Sequence, residues 1–296
     1  MLIILFVLVP LFSYMSWAHP PSGIVVDQKN QIYFLLYGAQ NRIMRIDQKG
    51  KVSPFLIDGR LHLPHHLTID SLGNLYTVSD NDGIVWKISQ EGRMTKIYPK
   101  EIQKNTLQIG RGGDPFTVDG EGNIYCLNGV KPILKITPDG KISPWAGGST
   151  GLPNGKVSKT LIGDLHMSTM TFGPDGFFYV TERLVIRKVA QDGTVSSLRV
   201  LDGPKLGLGM GLAVDLKGNV YVADYGYKQI LKITPEGKST LLSEKKFSEP
   251  SGVATGQEGE IFVMDHTRDS TRVWKISLDR QVTLLASVPN NESSVK

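Results

Sequence analysis

The chain has 296 residues, 40% apolar and 21% charged, with 32 Gly and 16 Pro. That balance excludes a disordered segment, a collagen and a coiled coil, and it describes a globular, turn-rich protein. Lys plus Arg number 33 against 28 Asp plus Glu, and the resulting excess of +5 is spread along the chain without the basic cluster of a nucleic-acid arm.

The first element is an apolar run, Leu2 to Phe12, followed by Ser16-Trp17-Ala18. The run has the length of a signal-peptide core and is too short to span a bilayer, and small residues stand at the −3 and −1 positions of a cut after Ala18. Residues 1–18 are therefore expected to be an export signal, with His19 opening the mature chain. The segment contains no Lys or Arg, which leaves the amino terminus as its only positive charge and a retained anchor as the alternative. No later segment approaches twenty apolar residues, so no membrane span is expected after cleavage. Cys126 is the single cysteine, so no internal disulfide can form and stability must come from packing.

From residue 21 onward one pattern recurs six times. Its anchor is the acid or Gly that ends a short apolar run: Asp27, Asp70, Asp119, Gly173, Asp215 and Gly256, spaced 43, 49, 54, 42 and 41 residues apart. Three residues beyond each anchor comes Asn30, Gly73, Gly122, Gly176, Gly218 or Gly259, types that tolerate the positive φ of a hairpin turn. Six residues beyond comes an aromatic: Tyr33, Tyr76, Tyr125, Tyr179, Tyr221 or Phe262. A third run then carries a basic residue before Ile or Val, at Arg45, Lys87, Lys135, Lys188, Lys232 and Lys275. A second turn follows, with Gly in five copies; the last copy reads Asp279-Arg280-Gln281. A short apolar run closes each copy.

Each copy thus supplies four short β-rich runs between turns, with no sustained helical periodicity. Tandem four-stranded units of this length predict an all-β fold: a six-bladed β-propeller of four-stranded antiparallel blades, preceded by a signal peptide. The blades are expected at about 21–57, 64–99, 113–147, 167–200, 209–244 and 250–287, with residues 19–296 forming one domain and a monomer. Because the repeats start with a first strand and end with a fourth, blade six should close on blade one by face packing, without a shared blade. The recurring aromatic should be inter-blade core.

These units resemble the NHL-repeat family of β-propellers from about Pro21 to Ser287. The fifth copy carries the resemblance best, with Gly211-Leu212-Ala213-Val214-Asp215, then Gly218 to Asp224, then Ile230 to Gly237. The architecture is shared with gluconolactonase and regucalcin-like propellers and with peptidylglycine amidating lyases, so fold alone does not choose among lyase, lactonase and binding scaffold. The resemblance directs attention to the residue five before each anchor, where the chain enters the innermost strand at the channel mouth: Ser22, His65, Asp114, Ser168, Met210 and Ser251. Amidating lyases place a zinc-binding His here in three blades, through a Pro-His-x-(Leu/Ile) motif. In this chain only Pro64-His65-His66-Leu67 matches it. The lactonase-like relatives place metal-binding carboxylates and Asn here, and Asp114 is the sole acid of this ring. One His and one Asp fall short of the donor sets of zinc or calcium, unless His66 or His166 contributes through a one-residue shift in register. Two outcomes therefore stand: no cofactor, or a divalent metal, Ca or Zn, held by His65 and Asp114.

The acids ending the second strand, Asp80, Glu182, Asp224 and Asp265, recur from blade to blade and are expected to hold loops or pair with the basic position. No Ser-His-Asp motif, Gly-x-Ser-x-Gly elbow or phosphate loop appears in the linear sequence. Extra length sits in the connections 99–113 and 147–166, which should crowd the mouth that bears His65 and Asp114. Two functions follow. The first is a secreted or periplasmic scaffold that binds a peptide, glycan or protein partner through these loops, with no nucleic acid. The second is a metal-dependent lactonase, hydrolase or lyase working in the central channel.

Overall fold

The computed structural model describes residues 21–36, 42–79, 82–101, 109, 114–127, 132–146, 169–182 and 184–290. The expected export signal, Asp80, Ser168, most of connection 99–113 and all of connection 147–166 lie outside the described residues. Six antiparallel four-stranded sheets follow one another, each running innermost to outermost in chain order. The innermost strands are Ile24–Val26, Leu67–Ile69, Phe116–Val118, Met170–Phe172, Gly209–Val214 and Glu249–Thr255. Each falls at the expected run. The first and last blades remain separate sheets, so the ring closes face to face, as expected.

Local chemistry explains the hairpins. All six residues three beyond the anchor have positive φ, from 59° at Asn30 to 89° at Gly259, the region that Gly and Asn enter at least cost. At the second turn Gly50, Gly92, Gly140, Gly193 and Gly237 do the same. In the sixth blade Arg280, with φ 64°, takes that place, and its N–H donates to Ser277 O at 2.9 Å. Aligning Gln281 with the glycines is therefore one residue late.

The anchor acid builds the first turn. Asp215 Oδ1 accepts the backbone N–H groups of Lys217 and Asn219, both at 2.9 Å, while Oδ2 accepts Asn219 Nδ2 at 2.8 Å and the Tyr221 hydroxyl at 3.0 Å. Asp70 and Asp119 repeat this set with Asn74 and Tyr76 and with Asn123 and Tyr125. Opposite the aromatic, in strand register, stands the recurring basic residue, as in Tyr76↔Lys87 and Tyr221↔Lys232. Its ammonium lies 5.3–5.8 Å from the Tyr ring centre in blades two to five, within cation–π range.

Where the anchor is Gly, the carboxylate has moved. In blade four Asp175 accepts from the Tyr179 hydroxyl at 2.6 Å and from Lys188 Nζ at 3.0 Å. In blade six Glu260 receives Asn30 Nδ2 at 3.2 Å and lies 3.8 Å from Lys275 Nζ. A Cβ at Gly173 would run into Asp175 Oδ1 at 2.5 Å, and one at Gly256 into the Glu260 carboxylate. Gly at the anchor thus leaves room for an acid supplied from two or four residues further on.

The core consists of six apolar clusters, each shared by two adjacent blades. Phe34 and Met44 meet Phe262 and Met264 across the closure of the ring, and Tyr179 and Ile186 meet Leu212 and Val222 between blades four and five. The recurring aromatics are between 1% and 7% exposed, and burying each contributes roughly 2 kcal/mol. Side chains on both faces of a blade are therefore buried, which explains second strands such as Val220–Asp224 in which every residue is buried.

Candidate functional site at the central channel

The innermost strands approach one another closely. Four residues before the anchor, blades one, five and six carry Gly23, Gly211 and Gly252. A Cβ at Gly211 would lie 2.7 Å from Gly252 Cα, and one at Gly252 would lie 2.7 Å from Ser22 O. Backbone passes where these side chains would stand. At the same position blades two and four carry His66 and Thr169.

Between the strands lies a cavity of about 160 Å³ to which all six blades contribute. Its apolar wall includes Ile24, Phe116, Met170, Phe172, Leu212 and Val253, and its polar groups come from Ser22, His66, Thr68, Thr169 and Thr171. Thr68 Oγ1 and Thr117 Oγ1 lie 3.5 Å apart across blades two and three. Thr68, Thr117 and Thr171 all stand two residues before the anchor, a recurrence that the sequence offered and the reading of residues five before the anchor passed over.

The structure distributes the predicted ring residues as follows. Ser22 lines the cavity, its N–H donates to His65 O at 2.9 Å, and its Oγ lies 2.8 Å from His66 Nδ1. His65 is partly buried, and His66, next in the chain, is the histidine of the cavity wall. Asp114 lies near Cys126: burial pushes the Cys126 thiol up to about 12, and the charge of Asp114 adds to that rise. Met210 and Ser251 occupy bulges of their strands, where an extra residue is re-aimed out of the ladder. Met210 is buried, and the Ser251 hydroxyl donates to Pro21 O at 2.7 Å, tying blade six to the start of blade one. His266 supports the same junction through Nε2, 3.1 Å from Pro21 O, and burial lowers its pKa to about 4. Among the described residues no three His, Cys, Asp or Glu side chains come together in a group suited to a metal ion.

Of the acids ending the second strands, Asp224 and Asp265 hold loops; Asp80 and the Glu182 side chain lie outside the described residues. Asp224 accepts the N–H of Gly207 at 2.8 Å and of Tyr227 at 3.1 Å, and Asp265 accepts the N–H of Glu249 at 2.8 Å. Both carboxylates thus fasten the connection that enters the channel mouth. The recurring lysines of blades two, four and six pair instead with Asp70, Asp175 and Glu260.

Solved structures share this architecture. A virginiamycin B lyase from Staphylococcus aureus is similar over 90% of this chain and 84% of its own, with 18% identity and a TM-score of 0.56. A gluconolactonase from Xanthomonas campestris is similar over 91% and 88%, with 13% identity and a TM-score of 0.60. An auxiliary nutrient binding protein from Bacteroides thetaiotaomicron is similar over 82% and 66%, with 14% identity and a TM-score of 0.59. No family model matches the chain, and no curated protein matches it. The chain is a six-bladed β-propeller, and its structural neighbours include lactonase, lyase and nutrient-binding propellers.

Proposed function

We propose that this propeller is a secreted or periplasmic binding scaffold that takes a peptide, glycan or protein segment at its channel mouth. The observation that carries this reading is the character of the cavity wall. Neutral hydroxyls of Ser22, Thr68, Thr169 and Thr171 alternate there with apolar side chains, the mixture that orients a neutral polar ligand while its apolar parts are buried. Asp224 and Asp265 brace the loops around that mouth, so the binding face stands on a rigid frame. The nutrient-binding neighbour supports the same direction.

A mature chain starting near His19 is expected to retain peptidoglycan fragments or short peptides on a ligand array, and the double variant Thr68→Val/Thr171→Val to lose at least about tenfold in affinity. Binding unchanged in that variant would move the site away from the channel. Elemental analysis of the purified chain separates the second reading. About one tightly held divalent ion per chain, lost in both His65→Ala and Asp114→Ala, would favour a metal-dependent lactonase, hydrolase or lyase.

A further inference from the structure

Ser22 and His66 lie 44 residues apart in the chain and come together across two blades at the cavity. Ser22 Oγ is 2.8 Å from His66 Nδ1, inside the reach required of a nucleophile and its base. Two further bonds hold the pair in place. The Ser22 N–H donates to His65 O at 2.9 Å, fixing one main chain to the other. The fully buried Thr77 hydroxyl donates to His66 O at 2.8 Å, fixing the backbone that carries the imidazole. His66 is 8% exposed, and it stands at a repeat position that is Gly in three other blades.

We infer that Ser22 and His66 form a nucleophile–base dyad that hydrolyses short acyl esters in the channel cavity. A space of about 160 Å³ is close to one that holds a single benzene-sized molecule, which limits the acyl group to a short chain. Phe116, Phe172 and Met170 supply an apolar wall for it, and Thr68 and Thr171 place hydroxyl donors in the same cavity for the carbonyl oxygen.

In the tautomer with its proton on Nε2, His66 Nδ1 takes the Ser22 hydroxyl proton as Oγ bonds to the acyl carbon. The ester C–O bond then breaks, and the leaving alcohol departs with that proton. Water repeats the sequence: His66 takes one of its protons, the hydroxyl oxygen bonds to the acyl carbon, and Ser22 leaves as the restored alcohol. The products are a carboxylic acid and an alcohol, and no oxidant or metal enters the balance.

This goes beyond the binding reading and does not depend on it, because a covalent probe reports Ser22 directly. The mature chain is treated with a short-chain alkyl fluorophosphonate, the adduct is mapped by peptide mass spectrometry, and hydrolysis of p-nitrophenyl acetate is followed in parallel. One adduct on Ser22 is expected. It should be absent in Ser22→Ala and form at least about 100-fold more slowly in His66→Gln, with both variants showing the parent's circular dichroism. If Ser22→Ala misfolds, the mapped adduct and the His66→Gln rate still decide the matter. No adduct on Ser22, or a His66→Gln chain that labels as fast as the parent, overturns the dyad. A parent chain that retains nothing on the array yet labels on Ser22 would remove the scaffold reading and leave the dyad standing.

Discussion

The Tyr221 hydroxyl donates to Asp215 Oδ2 at 3.0 Å, joining the core aromatic of blade five to the acid that folds its first turn six residues earlier. Tyr221 is 7% exposed, so one side chain fills the inter-blade core with its ring and closes a turn with its oxygen. Burial and the neighbouring carboxylate together hold its pKa well above the ordinary tyrosine value.

Tyr221→Phe keeps the ring and removes the bond. Urea unfolding is expected to show a loss of about 1 kcal/mol. A Tyr221→Phe chain as stable as the parent would contradict this account of the pair.

Gly256→Asp tests the displaced carboxylate. Its Cβ would meet the Glu260 carboxylate and, at 2.9 Å, the ring edge of Phe262, and overpacking of this kind costs about 2 kcal/mol. The triple variant Gly256→Asp/Glu260→Asn/Phe262→Tyr rebuilds the acid, amide and hydroxyl set of blades two, three and five. It is expected to recover most of that loss in the same unfolding measurement. A triple variant no more stable than the single one would show that the set does not transfer between blades.

Acid should weaken the fold in two stages. Desolvation lowers the pKa of buried His266 from 6.5 to about 4, with a smaller opposing effect from Pro21 O. The unfolded chain therefore binds this proton first, and the stability that neutral His266 contributes is complete above pH 6.5 and is lost as pH falls toward about 4. The carboxyls of Asp70, Asp175, Asp215 and Glu260 follow at lower pH. Burial alone would raise them, but the hydrogen bonds and charges that they accept outweigh it and hold them below the usual range. Their contribution is complete above the ordinary carboxylate pKa, about 4, and is lost as pH falls through their folded values. Melting temperatures recorded from pH 8 to pH 3 should decline in both stages for the parent chain. In His266→Gln the upper stage should flatten, and an unchanged profile would remove His266 from the account.

Cys126 is fully buried, and its thiol is pushed up to about 12 by burial and then by Asp114. The thiolate is the reactive form. Ellman's reagent is therefore expected to find no thiol in the native chain at pH 8 and one per chain in denaturant. Rapid native labelling would place Asp114 and Cys126 in a more open mouth than the one described.

Much of the molecule could be read directly from residue order. The six repeats, the inner strands and the sites of positive φ depend on chemistry within a few residues of the chain: Asn30 and the glycines favour the turns, and the aromatics mark the core. Arg280 shows where residue type misleads: it stands five residues after Lys275, the same spacing that separates each turn Gly from its basic residue, but without Gly the left-handed position carries no residue-type mark. The displaced acids Asp175 and Glu260 also escaped, since each is recognisable only once the space beside Gly173 or Gly256 is seen. The channel was the least legible part. Whether His65 or His66 lines the cavity, whether Met210 and Ser251 fall in bulges, and which hydroxyl meets which imidazole depend on how six inner strands are staggered about one axis. A one-residue shift on an extended strand sends the side chain to the opposite face. Partners as distant as Ser22 and His66 meet only when the packing of one blade on the next fixes that register.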